Sequence, residues 1–259
     1  MDLGIAGRKA IVCASSRGLG RGCAFALAEA GCDVVLNGRN EETLAKTAAD
    51  LKARFNVGVI SIAADVSTSD GQKALLDACP DADILVNNNG GPPRKDYTEL
   101  TREAMLDGVV QNMVTPIELI QALVPGMQAR GFGRVVNITS MSVRMPIEGL
   151  DLSSGARAGL TAFLAGVCRQ IAGSGVTINN ILPGKMDTDR LRGGFERAAQ
   201  MSGKSIEDVR KAQAAEIPMG RFGNPEEFGQ TCAFLCSVHA GYITGQNILL
   251  DGGLYPAAF

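Results

Sequence analysis

The stretch that decides the fold is Lys9-Ala10-Ile11-Val12-Cys13-Ala14-Ser15-Ser16-Arg17-Gly18-Leu19-Gly20. An apolar strand-like run enters a turn of small residues. The turn opens onto Gly18–Ala30, where apolar residues recur at helical spacing. A helix entered this way has free first-turn N–H groups, and its positive dipole end attracts anions. Gly18 and Gly20 let the backbone approach a pyrophosphate and let the helix pack closely on a sheet. The Ser15 and Ser16 hydroxyls add hydrogen-bonding groups, and Arg17 and Leu19 complete the turn. A glycine turn alone is ordinary punctuation. With a strand before it, a helix after it and a further strand–helix unit behind, it predicts a dinucleotide site.

Working outward, strand-like runs alternate with helical patterns to the end of the chain. Strands are predicted at Lys9–Ala14, Asp33–Asn37, Gly58–Ala63, Ile84–Asn87, Arg134–Ile138, Val176–Leu182 and Asn247–Leu250. Their apolar residues are nearly continuous, as in strands buried on both faces. Helices are predicted at Gly18–Ala30, Glu41–Phe55, Thr101–Arg130, Ser154–Ala172 and Pro225–Ser237. This alternation predicts right-handed βαβ units, and hence an α/β Rossmann-type, doubly wound, parallel seven-stranded sheet in a single domain, 1–259. Residues 187–216 break the rhythm. They are polar, carry Gly193, Gly194 and Gly203, and follow a strand's carboxyl end, where ligands bind in such sheets. Two readings stand for this insertion: a substrate lid, or a surface helix pair with no catalytic part.

The bulk properties exclude other classes. The chain has 259 residues, 46% of them apolar, and a formal net charge of -2, which gives no general attraction to nucleic acid. No stretch approaches the ~20 apolar residues that span a bilayer, and the N-terminus lacks a signal-peptide pattern, so a cytoplasmic location is expected. Seven cysteines stand singly and read as small core residues, and with one histidine, His239, no metal site is expected.

The second strand ends in Asn37-Gly38-Arg39, where binders of the unphosphorylated dinucleotide usually place an Asp or Glu for the ribose hydroxyls. An Arg guanidinium there matches a 2′-phosphate bidentately, and Arg17 lies within reach of the same group. The preferred cofactor is therefore NADP(H).

Several further motifs stand in order. The chain resembles the short-chain dehydrogenase/reductase superfamily over nearly its whole length, and in outline its 3-oxoacyl-carrier-protein reductase branch. Cys13–Gly20 resembles the TGxxxGxG turn, with Cys13 and Ala14 as departures. Asp65-Val66 resembles the pair that contacts the adenine, and Asn87-Asn88-Asn89-Gly90 resembles NNAG. Asn112 falls at the position that holds a proton-relay water, and Asn137-Ile138-Thr139-Ser140 resembles the strand that ends in the catalytic serine. Pro183-Gly184 with Thr188 resembles the PGxxxT segment that holds the nicotinamide amide. Arg221–Glu227, Tyr242–Gly245 and Asp251–Gly253 resemble the C-terminal signatures. The resemblance implies a carbonyl/alcohol oxidoreductase acting on a small molecule, a cofactor held by these positions, and a homotetramer.

The family's chemistry rests on YxxxK, a phenol that gives up a proton and a lysine that holds the ribose. The corresponding helix here reads Leu152-Ser153-Ser154-Gly155-Ala156-Arg157-Ala158-Gly159. Ser153 stands at the Tyr position and Arg157 at the Lys position; both fall on one helix face. The tyrosines of the chain are Tyr97, Tyr242 and Tyr255, none of them in this helix. Serine is a far weaker acid than a phenol, and arginine stays charged and relays protons poorly. Three readings follow: a reductase with a substitute proton donor, a lyase or isomerase on the same scaffold, or a non-catalytic NADP(H)-binding protein. Candidate donors are a water held by Ser140, Ser153 and Asn112, or Lys185, with Tyr97 as a further possibility. Asp151 and Glu148 read as substrate contacts or solvated acids. Met141, Met145, Met186, Leu191, Phe195 and Met201 suit an apolar substrate or ordinary helix packing. Arg190, Arg192, Arg197 and Lys204 suit an anionic group or a solvated face. The tail Tyr255–Phe259 is a candidate to reach a neighbouring subunit's site.

Overall fold

The structure is a computed structural model and describes residues 1–258. The tip of the tail, Phe259, lies outside the described residues.

Seven strands form one parallel sheet: β1 (Lys9–Val12), β2 (Asp33–Gly38), β3 (Val59–Ala63), β4 (Ile84–Asn87), β5 (Gly133–Ile138), β6 (Val176–Pro183) and β7 (Asn247–Leu250). Their order across the sheet is β3-β2-β1-β4-β5-β6-β7. The order reverses between β1 and β4, and that switch point opens a crevice beyond the strands' carboxyl ends. The period-two alternation of strand side chains sorts the core into two layers. Val12, Leu36 and Val86 face the layer that holds Leu27, Leu51 and Phe228. Ile11, Val35 and Leu85 face the layer that holds Leu75, Leu123, Leu160 and Leu164.

The helices are α1 (Gly18–Glu29), α2 (Glu41–Arg54), α3 (Ser69–Ala78), α4 (Arg102–Val109), α5 (Thr115–Ala129), α6 (Asp151–Ile171), α7 (Asp189–Ser202), α8 (Ile206–Ala215) and α9 (Pro225–Cys236). Helices α1 and α9 approach backbone to backbone. A Cβ on Gly22 would overlap the Pro225 carbonyl, and one on Gly229 would overlap the Gly22 carbonyl. All seven cysteines are buried and unpaired, as small apolar fillers. No helix among the described residues is long and apolar enough to cross a membrane.

Three sequence expectations need correction. Strand β1 stops at Val12 rather than Ala14, because Ala14 adopts φ 44° and turns the chain. The segment Thr101–Arg130 is not one helix: a wider π turn at Val110–Val114 separates α4 from α5. Helix α3 was not anticipated; its apolar residues are few, and its start is set by Thr68, whose hydroxyl accepts from Gly71 N. The polar insertion folds as a hairpin, α7 and α8, with a small core of its own. Phe195, Ala199, Val209, Ile217 and Phe222 close on one another, and the Phe195 and Phe222 rings lie 5.3 Å apart.

Candidate active site

The nucleotide end is built on an open helix terminus. Helices α2, α3, α4, α8 and α9 each begin under a side-chain cap, from Asn40, Thr68, Thr101, Ser205 and Asn224. Helix α1 has no capping side chain and no acid in its first turn. Its N–H groups are left for an external acceptor, and its dipole favours an anion there. Gly18 sits at φ 58°, and a Cβ on it would meet Thr188 at 3.7 Å. Gly20 has no room for a side chain: a Cβ would overlap the Ala14 carbonyl and press on Asn88. At Gly90, by contrast, a Cβ would meet nothing within 4 Å, so this loop borders open space.

Two residues expected to touch the cofactor instead brace the turn. The Ser15 hydroxyl donates to Val12 O at 2.8 Å and accepts from Asn37 N at 3.0 Å, fully buried. The Asn37 side chain donates to Ile62 O and Ala64 O and accepts from Ala14 N. These interactions occupy both side chains inside the protein. Asn88 similarly donates to Ala14 O, and Val66 is buried in the core. Ser16 lies against Gly38, beside the expected 2′-phosphate position.

Arg39 and Asp65 line one cleft of 390 Å³, shared with Asn89, Gly90, Gly91, Gln111 and Leu152. The Arg39 guanidinium is mostly exposed and lies 3.7 Å from the Asp65 carboxylate. Hydrogen bonding from Ser67, with a lesser contribution from Arg39, holds Asp65 below the usual carboxylate range. Arg17, also exposed, lies 4.0 Å from Asp189 at the head of α7.

At the other end of the crevice Arg157 is the central group. It is 8% exposed. Its Nε donates to Ser153 Oγ at 3.2 Å and its Nη1 to Ile138 O at 2.6 Å. The i, i+4 spacing stacks the two side chains on one face of α6, as the sequence predicts. Burial, and then the like charge of Arg190, lowers the guanidinium from 12.5 to about 10. Ser140 caps the short turn Met141–Val143 by accepting from Ser142 N at 3.1 Å. Asn112, inside the π turn, donates to Gly108 O at 3.1 Å, while its buried Oδ1 has no partner. A buried acceptor left free is uncommon and calls for a partner, ordinarily water. Pro183 ends β6, Gly184 N donates to Leu250 O, and Thr188 N donates to Met186 O, setting Thr188 over Gly18.

Other candidates land elsewhere. The Lys185 ammonium is held by Glu216 at 2.5 Å, at the base of the α7–α8 hairpin, so it is not a free donor over the crevice. Tyr97 is 74% exposed on the turn before α4. The apolar lid residues do not form a lining: Phe195 and Leu191 pack within the hairpin, Met186 packs on Gly223, and Met201 is in solvent.

Two features escaped the sequence reading. Asn87, Asn137, Asn180 and Asn247 sit at matched register on β4, β5, β6 and β7. Each amide donates to the next across the sheet, at 2.9, 2.9 and 2.8 Å. The signal was there, an asparagine in each of four successive strands, but only the register makes it a ladder. The second is the anchoring of Arg190, whose Nη1 and Nη2 donate to Gly91 O and Pro92 O at 3.3 and 3.2 Å and tie α7 to the loop after β4.

Residues 13–255 match the family model described as enoyl-(acyl carrier protein) reductase. The chain is 31% identical over 257 residues to a 3-oxoacyl-[acyl-carrier-protein] reductase of Vibrio cholerae, covering 98% of this chain and 99% of the relative. It is 30% identical over 251 residues to an NADPH-dependent reductase of Bacillus subtilis, covering 95% and 97%. Among solved structures, L-sorbose reductase from Gluconobacter frateurii, complexed with NADPH and L-sorbose, superposes with a TM-score of 0.94 at 30% identity. That match covers 99% of this chain and 100% of the neighbour.

Proposed function

The chain belongs to the short-chain dehydrogenase/reductase superfamily, and on that premise we propose that it is an NADP(H)-dependent oxidoreductase that interconverts a small-molecule carbonyl and alcohol without a tyrosine acid. The observation that carries this reading is the uncapped, acid-free N-terminus of α1 at the switch point of the sheet. The dinucleotide phosphates fit that terminus. Arg17 and Arg39 suit the 2′-phosphate, with Ser16 beside them. Asp65 and Val66 flank the adenine, Asn88 and Gly90 border the ribose side, and Pro183, Gly184 and Thr188 hold the amide end. NADPH in a neighbour of such close shape supports the choice of cofactor.

NADP(H), when bound, supplies or accepts the hydride. The protein's part is position and electrostatics. Ser140 donates its hydroxyl hydrogen to the substrate oxygen. Arg157 keeps its N–H groups beyond Ser153 and Ile138 free to hold ribose hydroxyls, and its charge lies where oxygen becomes anionic. A fixed cation in a water-poor site stabilises such charge by several kcal/mol. The proton comes from water seated on the free Oδ1 of Asn112, with Ser153 extending the relay. Helices α7 and α8 form the lid over the substrate, and Lys185 positions that lid through Glu216 rather than delivering a proton.

The test is turnover of NADPH with a panel of ketones, aldehydes and 2-oxo compounds, in parallel for the protein and for Ser153→Tyr/Arg157→Lys. Oxidation of NADPH coupled to alcohol formation by the unaltered protein supports the reading. Tight NADPH binding without turnover across the panel, with reduction gained by the double variant, would instead favour a non-catalytic NADP(H)-binding protein.

A further inference from the structure

The first turn of α7 crosses the switch-point crevice and touches both of its walls. On the α1 side, Thr188 lies over Gly18, and the Asp189 carboxylate stands 4.0 Å from the Arg17 guanidinium. On the β4 side, Arg190 donates from Nη1 to Gly91 O at 3.3 Å and from Nη2 to Pro92 O at 3.2 Å. Gly91 leaves just enough room for this contact. A Cβ there would fall 2.5 Å from Arg190 Nη1 and 2.8 Å from Nη2. The base of the hairpin is fixed as well. Asp187 N donates to Gly223 O, Gly223 N donates to Lys185 O, and Lys185 pairs with Glu216. In this ligand-free structure the turn is therefore tied at its base and at both walls.

These ties treat the two halves of the dinucleotide unequally. Arg39 and Asp65 stand in a cleft of 390 Å³ whose lining includes Gly91 and Pro92, the residues that Arg190 holds. That cleft receives the adenosine half without disturbing α7. The nicotinamide end is assigned to Pro183, Gly184 and Thr188, and Thr188 is the N-cap of α7 itself. To pass from the cleft to Thr188, the nicotinamide half must cross the line from Arg190 to Gly91 and Pro92. We infer that Arg190 is a strap across the cofactor's path, so that NADP(H) enters in two steps: the adenosine half docks, and the strap then releases to admit the nicotinamide half. This rests on the reading of the crevice as the NADP(H) site. Rotation of one side chain is too fast to limit entry, whereas lifting a lid turn takes microseconds to milliseconds. When the turn lifts, Thr188 leaves Gly18 and Asp189 leaves Arg17. Arg17 is also the group assigned to the 2′-phosphate. The first half to dock therefore takes Arg17 from Asp189 and loosens the turn for the second.

Stopped-flow mixing with NADPH, followed by its fluorescence, reads the two steps. In the unaltered protein the observed rate is expected to level off at high NADPH, because a first-order release follows docking. Arg190→Ala is expected to raise that plateau by about ten-fold, the weight of a charge-assisted hydrogen bond. Gly91→Ala forces the same guanidinium away from the opposite side and is expected to raise it too. Adenosine 2′,5′-bisphosphate needs only the open cleft, so its calorimetric Kd is expected to agree within about two-fold between the protein and Arg190→Ala. Hydrogen exchange in ligand-free Arg190→Ala is expected to quicken at the start of α7 and in the loop after β4, and to stay unchanged in β1 and β4. A rate linear in NADPH for the unaltered protein, an unchanged plateau in either variant, or a bisphosphate Kd that moves with Arg190 would each overturn the strap and leave the cofactor site standing. Failure of all three proteins to bind NADPH would instead overturn the cofactor reading, and two-step entry with it.

Discussion

Replacing Arg157 by methionine is expected to leave the ligand-free protein as stable as before or more stable, while removing its function. The buried guanidinium falls from 12.5 to about 10, first through desolvation and then through the charge of Arg190. At ~1.4 kcal/mol per pKa unit, the folded state disfavours the charged form by about 3 kcal/mol. Methionine fills much of the same length with no charge. Against this gain stand the bonds to Ile138 O and Ser153 Oγ. Stranding a buried carbonyl costs about 1–3 kcal/mol, and the serine hydroxyl can rotate to another partner. The balance is a gain of about 1 kcal/mol, or roughly 2–4 °C in Tm for a chain of this size. The pH dependence has a defined sign. The folded value lies below the unfolded one, so between about 10 and 12.5 the unfolded chain binds more protons. Through this group alone, stability therefore rises with pH across that window, and Arg157→Met lacks the rise. Urea unfolding of both ligand-free proteins at neutral pH measures the difference, and the same experiment with NADPH shows the lost cofactor stabilisation. A loss of more than about 1 kcal/mol in the ligand-free variant would refute the reasoning, because Arg157 would then be a structural keystone rather than a strained functional group.

Three other outcomes follow from the geometry. Arg39→Ala is expected to weaken NADPH binding by about 10- to 100-fold, the worth of a charge-assisted contact, and to leave NADH within two-fold by fluorescence titration; equal losses for both would place Arg39 away from the 2′-phosphate. Asn137→Ala removes the middle of the ladder, strands Asn180 Oδ1 and leaves Asn87 Nδ2 only its longer bond to Pro116 O, at a cost of about 1–3 kcal/mol in urea unfolding. Adding Asn87→Ala should then cost less than it does alone, and strict additivity would show that the ladder is not coupled. Ala14→Gly relieves a left-handed alanine worth roughly 1–2 kcal/mol while returning ~0.4–1 kcal/mol of unfolded-chain entropy. Calorimetry should show a stability unchanged or raised by up to about 1 kcal/mol, and a clear loss would mean that the Ala14 methyl packs against something essential.

The five inner strands were legible because parallel strands buried on both faces leave apolar runs that few other elements imitate, and the half-covered edges β3 and β7 keep enough of the pattern to follow. The phosphate turn was legible because glycine placement there is dictated by backbone contact, as Gly20 against Ala14 shows. What escaped has a common cause: it depends on partners distant in sequence. The roles of Ser15 and Asn37 are set by each other across 22 residues, so a hydroxyl that reads as a phosphate ligand is in fact a brace. Lys185 reads as a free amine until Glu216 folds beside it. The π turn around Asn112 disturbs the helical period too briefly for periodicity to register. The apolar residues of the 187–216 insertion read either as a lining or as helix packing, and packing prevails because a two-helix insertion must first bury some of its own surface, as Phe195 and Phe222 do.

If Ser153 and Arg157 stand where the family places Tyr and Lys, as proposed, they change what the site offers rather than emptying it. A phenol with a lysine beside it supplies a proton and keeps the local charge modest. A serine with a buried arginine supplies positive potential and no acid. The i, i+4 spacing puts Arg157 Nε onto the Ser153 hydroxyl, to which it donates. In the proposed mechanism the buried Arg157 stabilises an alkoxide as it forms, so the proton can arrive later and from a weaker acid such as water.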